Sequence, residues 1–382
     1  MTNARLKIVA DQNMPMVEAL FSPFGDVTLM AGRSISAADI VDADVLLVRS
    51  VTLVNETLLA ESAVKFVGSA TIGVDHIDID YLCAHDIKFA YAPGCNAAAV
   101  VQYDLSVMSY LEPYWQHKNI GIVGCGNVGG LLLRTLKALD IDCCVYDPFL
   151  TNEDIPLSDF DSVLRCDIVC LHTPLTYEGP FPTYHLFDQN VLSRLNSSAL
   201  LINAGRGDVV DNAALLRLLT TQPELQVALD VWSDEPEIDL ELLNKVSIGT
   251  PHIAGYSREG KINGTKMIFE AFIDWLPNKV PIKPYEPLSC VEIACQCTDT
   301  LSDIILASYN VLDDDIRMRQ SLLHPRETSG KATVASIFDD LRKTYPTRIQ
   351  NDWTVISSDG KNFSDNQRYQ LEGLGFKLRD SR

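Results

Sequence analysis

Three side chains in the second half of the chain have the types needed to take a proton from an alcohol while a hydride leaves the same carbon: Arg206, Glu235 and His252. Histidine titrates near neutrality, so His252 can accept the hydroxyl proton in oxidation and return it in reduction. A carboxylate at Glu235 would orient the imidazole and favour its protonated form. Arg206 can hold a substrate carboxylate in a bidentate fork. Each follows a predicted strand: Arg206 comes after Ala199 to Asn203, Glu235 after Val227 to Asp230, and His252 after Val246 to Gly249.

Hydride chemistry needs an acceptor, and the stretch from Lys118 to Asp147 has the pattern of a dinucleotide site. An apolar run of strand length, Ile120 to Val123, breaks into Gly124-Cys125-Gly126-Asn127-Val128-Gly129 and continues with helical spacing through Leu133, Leu136 and Leu139. Gly124 permits a tight turn, Gly126 lets the backbone approach a pyrophosphate, and Gly129 lets helix and strand pack closely. The N–H groups at the helix start face the phosphates. Asp147 ends the next strand, Cys143 to Tyr146, where it can accept from an adenosine ribose and repel a 2′-phosphate, which favours NAD over NADP.

The elements that position these residues alternate as strand and helix along most of the chain, which predicts parallel sheets covered by helices on both faces. Leu6 to Ala10, Val45 to Val48 and Phe66 to Gly68 read as strands of a first unit, and the breaker Ala92-Pro93-Gly94-Cys95-Asn96 leads out of it. Ligands of such sheets lie beyond the strands' carboxyl ends, where Arg49, Ser50 and Thr71 stand as candidates for binding an anion. The expected organisation is α/β. Two doubly wound, Rossmann- or flavodoxin-like domains comprise a substrate-binding domain over 1–94, completed by about 258–280, and a dinucleotide-binding domain over 95–257. A linker at Lys279 to Pro284 then leads to a smaller C-terminal α+β domain over 281–382.

The 382 residues suffice for two or three domains. A formal charge of −20 argues against nucleic acid or an anionic membrane as a general partner. No run of about 18 apolar residues occurs, and the N-terminal stretch lacks a signal-peptide core. Ten scattered cysteines without a CxxC pair read as reduced thiols of a cytoplasmic protein, and Cys290, Cys295 and Cys297 lack the ligand spacing of a metal site.

Gly205-Arg206-Gly207, Asp230-Val231-Trp232 with Glu235-Pro236, and Thr250 to Gly255, in that order behind the glycine turn, resemble the signatures of the D-isomer-specific 2-hydroxyacid dehydrogenases. The resemblance covers roughly residues 5 to 280. It implies Arg206, Glu235 and His252 as the catalytic residues and contacts from Asp147, Thr173, Asp230 and Gly255 to NAD. Further stretches, among them Asp11 to Pro15, Val48 to Thr52, Pro93 to Ala97 and His252 to Ser257, are similar to one branch of that family. That likeness implies a small phosphorylated four-carbon hydroxyacid as substrate, touched by Ser50, Thr71 and Tyr256, and a homodimer formed through the C-terminal domain. Holding a phosphate as well as a carboxylate calls for a further cation, for which Arg49 is placed at a strand end. A dehydrogenase of 3-phosphoglycerate shares triad and cofactor but is disfavoured by the first-domain stretches and Tyr256. An NAD-sensing binding protein on this fold would bind nucleotide without turnover.

Overall fold

In the computed structural model of the chain, the structure describes residues 5–151, 155, 157–277, 289–296, 298–324, 333–358 and 363–379. The expected linker at 279–284 and Cys297 lie outside the described residues. Two compact units result, one of residues 1–96 with 257–287 and one of 97–256 with 288–382.

The first unit is a five-stranded parallel sheet of β1 (Leu6–Asp11), β2 (Gly25–Met30), β3 (Val45–Val48), β4 (Phe66–Ser69) and β5 (Lys88–Tyr91), in the order β2-β1-β3-β4-β5. Side chains alternate across the sheet, so every second residue feeds a different core. Ile8, Val45, Leu47 and Phe66 pack on one face with Ile268, Phe269 and Phe272 of the helix Arg258–Trp275; Val9, Leu46, Val48 and Val67 pack on the other with Ile40, Leu58 and Leu82. The helix Arg258–Trp275 shares its face of the sheet with Val17, Leu20 and Phe21, so the chain's return to this unit after residue 256 completes a core begun near the N-terminus.

The second unit holds six parallel strands, β6 (Ile120–Val123), β7 (Cys143–Tyr146), β8 (Ile168–Leu171), β9 (Leu200–Asn203), β10 (Gln226–Leu229) and β11 (Ile248–Gly249), in the order β11-β10-β9-β8-β6-β7. The order reverses between β6 and β8, the crevice where open α/β sheets bind ligands. The edge strand β11 is shorter than the expected Val246 to Gly249; on its outer side the Gly249 N–H donates to Asp315 Oδ1 at 2.7 Å, and Arg319 donates to the carbonyls of Leu243 and Val246.

The C-terminal segment, expected as a smaller domain over 281–382, lies with the second unit over 288–382. It contributes a three-stranded sheet of β12 (Val291–Cys295), β13 (Thr354–Ser358) and β14 (Lys377–Arg379), parallel throughout. Its apolar residues join both cores of the six-stranded sheet: Ile304, Ile305 and Tyr309 enter the one with Ile120, Ile168 and Leu200, and Met318, Phe338 and Leu341 the one with Val169, Leu201 and Leu242. Polar contacts reinforce the union. Ser106 Oγ donates to the Tyr309 carbonyl at 2.8 Å, and Gln102 Nε2 to that of Ile349 at 3.0 Å.

Candidate active site

The glycine turn leaves β6 as the sequence requires. Gly124 has φ +86°, a conformation that side chains rarely adopt, and a Cβ at Gly129 would stand 2.0 Å from the Gly124 carbonyl oxygen. A Cβ at Gly126 would meet nothing within 4 Å, so the chain here borders open space. The helix Asn127–Lys137 has no side-chain cap at its start, and its first N–H groups remain for an anion. Asp147 follows β7; its Oδ2 accepts from the Cys125 N–H at 2.9 Å and its Oδ1 from the Phe149 N–H at 3.1 Å, which holds the carboxylate against the turn with lone pairs to spare. Thr173, just past β8, has a buried Oγ1 without a partner among the described residues. The open space at Gly126, the uncapped helix start and this orphaned hydroxyl all fit a dinucleotide.

Two strands along, the acid–base pair is formed. His252 Nδ1 lies 2.7 Å from Glu235 Oε2, and Glu235 Oε1 accepts from the Trp232 N–H at 2.8 Å. A carboxylate only accepts, so Nδ1 carries a proton and Nε2, which has no hydrogen bond among the described residues, is the nitrogen left for a reacting hydroxyl. Burial works against the Glu235 charge, yet His252, the Trp232 N–H and Arg342 together hold its pKa below the ordinary 4.5. His252 itself has φ 56°. Asp230 imposes this: its buried carboxylate accepts from Thr250 Oγ1 (2.7 Å), the Ile253 N–H (2.8 Å) and the Ala254 N–H (2.9 Å), while its carbonyl accepts from the His252 N–H (2.7 Å). Burial raises the Asp230 pKa despite these bonds and the His252 charge. The Asp230 carboxylate therefore shapes the Thr250 to Ala254 turn, beside which Gly255 and Tyr256 stand half-buried.

Arg206 sits between two glycines at the end of β9. A Cβ on Gly207 would lie 1.9 Å from the Trp232 carbonyl oxygen, so only glycine lets this loop press against the turn that carries Glu235. Arg206 Nη1 donates to the Gly205 carbonyl at 2.9 Å.

In the first unit, Ser50 is exposed past β3, and Thr71 Oγ1 donates to the Gly73 carbonyl at 2.8 Å while sharing a 2.7 Å contact with Ser69 Oγ. Arg49 is partly committed: its Nε donates to the buried Asp11 Oδ2 at 3.2 Å. Lys261, which sequence reasoning missed, is close enough to Arg49 that burial first, and then the Arg49 charge, lower its pKa. A lysine within an amphipathic helix gives no signal that sets it apart. The same holds for Arg342, near Glu235 and Tyr256 in the second unit. The buried pair Asp104 and His172, 3.1 Å apart, was also missed, since its members lie 68 positions apart.

Among the described residues no group of His, Cys, Asp and Glu could hold a metal ion, and no helix is long and apolar enough to cross a membrane. The description of the D-isomer specific 2-hydroxyacid dehydrogenase NAD binding domain matches residues 104–254. The chain is 47% identical over 357 residues to the erythronate-4-phosphate dehydrogenase of Saccharophagus degradans, covering 90% of this chain and 92% of that one. It is 45% identical over 388 residues to that of Cellvibrio japonicus, covering 97% and 100%. A solved structure of NAD+-bound 3-phosphoglycerate dehydrogenase from Entamoeba histolytica has a similar fold, with TM-score 0.62 and 23% identity, over 71% of this chain and 95% of its own. A D-lactate dehydrogenase from Aquifex aeolicus, solved with NAD and lactic acid, does so with TM-score 0.60 and 19% identity, over 70% and 94%.

Proposed function

The chain belongs to the erythronate-4-phosphate dehydrogenase family, and from that premise we propose that it oxidises 4-phospho-D-erythronate at its 2-hydroxyl with NAD, giving (R)-3-hydroxy-2-oxo-4-phosphooxybutanoate for vitamin B6 synthesis. The observation that carries the mechanism is the 2.7 Å bond between His252 and Glu235. His252 Nε2 takes the hydroxyl proton, and Glu235 stabilises the imidazolium that results. Gly124 to Gly129 and Asp147, with Thr173, Asp230 and Gly255 alongside, would hold NAD, which when bound would supply the acceptor for the C2 hydride. Arg206 holds the substrate carboxylate; Ser50, Thr71 and Tyr256 are its further contacts, and Arg49 is a ligand for the phosphate.

The same reading makes the C-terminal segment the interface of a homodimer, which sedimentation of the purified protein checks. It places the protein in the cytoplasm, a proposal supported by its thiols: the nine cysteines in the described residues are free, and burial pushes Cys95 and Cys143 up to about 12.

The decisive experiment compares NADH formation from 4-phospho-D-erythronate and from 3-phosphoglycerate, with and without an added 2-oxoacid acceptor. Turnover of the four-carbon substrate alone supports the proposal. Turnover of 3-phosphoglycerate alone would reassign the substrate. Nucleotide binding without turnover under every condition would make the chain an NAD-sensing protein instead.

A further inference from the structure

Arg342 comes from the helix Val334–Lys343, far beyond the residues 104–254 that the family description matches, yet it belongs to the second unit with Glu235, His252 and Tyr256. Its guanidinium carbon lies 5.8 Å from the centre of the Tyr256 ring. Burial opposes its charge, and Glu235, Tyr256 and Asp339 are the groups that favour it. Its Nε is buried without any acceptor among the described residues. A cation with an unused donor, beside the residue four positions after the proposed base, has the makings of an anion ligand.

Resting on the substrate reading above, we propose that Arg342 binds the substrate's phosphate together with the Tyr256 hydroxyl, so that the C-terminal segment contributes directly to substrate selection. The chemistry fits the substrate's length. When His252 addresses the C2 hydroxyl, the phosphorus is reached through C3, C4 and one ester oxygen, a span that keeps it in the neighbourhood of the Glu235–His252 pair. Arginine offers several N–H groups in a planar fork, so Nε and another can turn to phosphate oxygens while the guanidinium stays beside the Tyr256 ring.

The test measures kcat and KM of the wild type, Arg342→Gln and Arg342→Lys with 4-phospho-D-erythronate and with unphosphorylated D-erythronate, and inhibition by inorganic phosphate. NADH binding, read by fluorescence, reports whether each variant is folded. For Arg342→Gln the expected result is a KM for the phosphorylated substrate raised by about 10- to 100-fold, a much smaller fall in kcat/KM for D-erythronate, and weaker inhibition by phosphate, with Arg49 left as a ligand. Arg342→Lys should recover part of the loss, and it carries the test if the Gln variant fails to bind NADH. An equal fall on both substrates would overturn the proposal in favour of a positioning role through Glu235. So would an unchanged KM with an active wild type. A wild type inactive on 4-phospho-D-erythronate would sink the substrate reading itself, and this inference with it.

Discussion

His252 is held in a left-handed backbone conformation by bonds that converge on Asp230. Few residues tolerate that region, and histidine is among those enriched there, so the turn aims the imidazole at Glu235 at a modest conformational cost. The pairing has a consequence for stability. The Glu235 pKa is held below its ordinary 4.5, so its contribution is fully present above that pH and is lost as pH falls through the lowered value. Unfolding curves of the wild type and Glu235→Gln should therefore converge below about pH 4.5, whereas a constant gap down to pH 3 would contradict the ionised pair. At the same scale, Asp147 is the residue we propose sets the choice of cofactor. Replacing it by Ser removes the charge opposed to a 2′-phosphate, and the ratio of NADP to NAD activity should rise at least about tenfold.

Among the elements, the strand ends carry the residues of the proposed site, and their placement was legible in the sequence because each motif is local. Gly124 to Gly129, Gly205 to Gly207 and Thr250 to Gly255 each follow a short apolar run, so the residues and the strand that presents them are read together. What pairs across the sheet was not legible. The close approach of Gly207 to Trp232 joins β9 and β10 loops 25 positions apart, and no local pattern encodes it. Gly207→Ala should displace the Arg206 loop, costing about 1–3 kcal/mol in stability and a larger share of kcat/KM than of NADH affinity. Denaturant unfolding with steady-state kinetics checks both. The bonds that Asp315 and Arg319 make around β11 were hidden for the same reason, since both residues come from a distant helix. Lys261 and Arg342 went unseen for a related reason. On a helix a cation reads as a solvated surface residue until the tertiary structure shows what it faces.

For the molecule as a whole, the C-terminal segment is the part whose sequence said least. It lacks a glycine motif, and its strand-and-helix pattern does not reveal that its sheet is parallel or that its apolar residues complete two cores of the second unit. A chain cut after residue 287 would expose the partners of Ile304, Tyr309, Met318 and Phe338, which each bury fully or nearly so. Losing several large buried side chains at about 2–5 kcal/mol each exceeds the stability of an ordinary domain, so the truncated protein should fail to unfold cooperatively. A soluble fragment with a sharp melting transition and intact NADH binding would contradict this integration.

The central claim is that His252, oriented by Glu235, takes the proton as the C2 hydride leaves. Its most direct test is the rate of NADH formation from 4-phospho-D-erythronate by the wild type and by His252→Ala, with NADH affinity measured alongside. The expected result is a fall in kcat/KM of about 10²- to 10⁴-fold with NADH affinity little changed. A His252→Ala variant that keeps the wild-type rate would contradict the account.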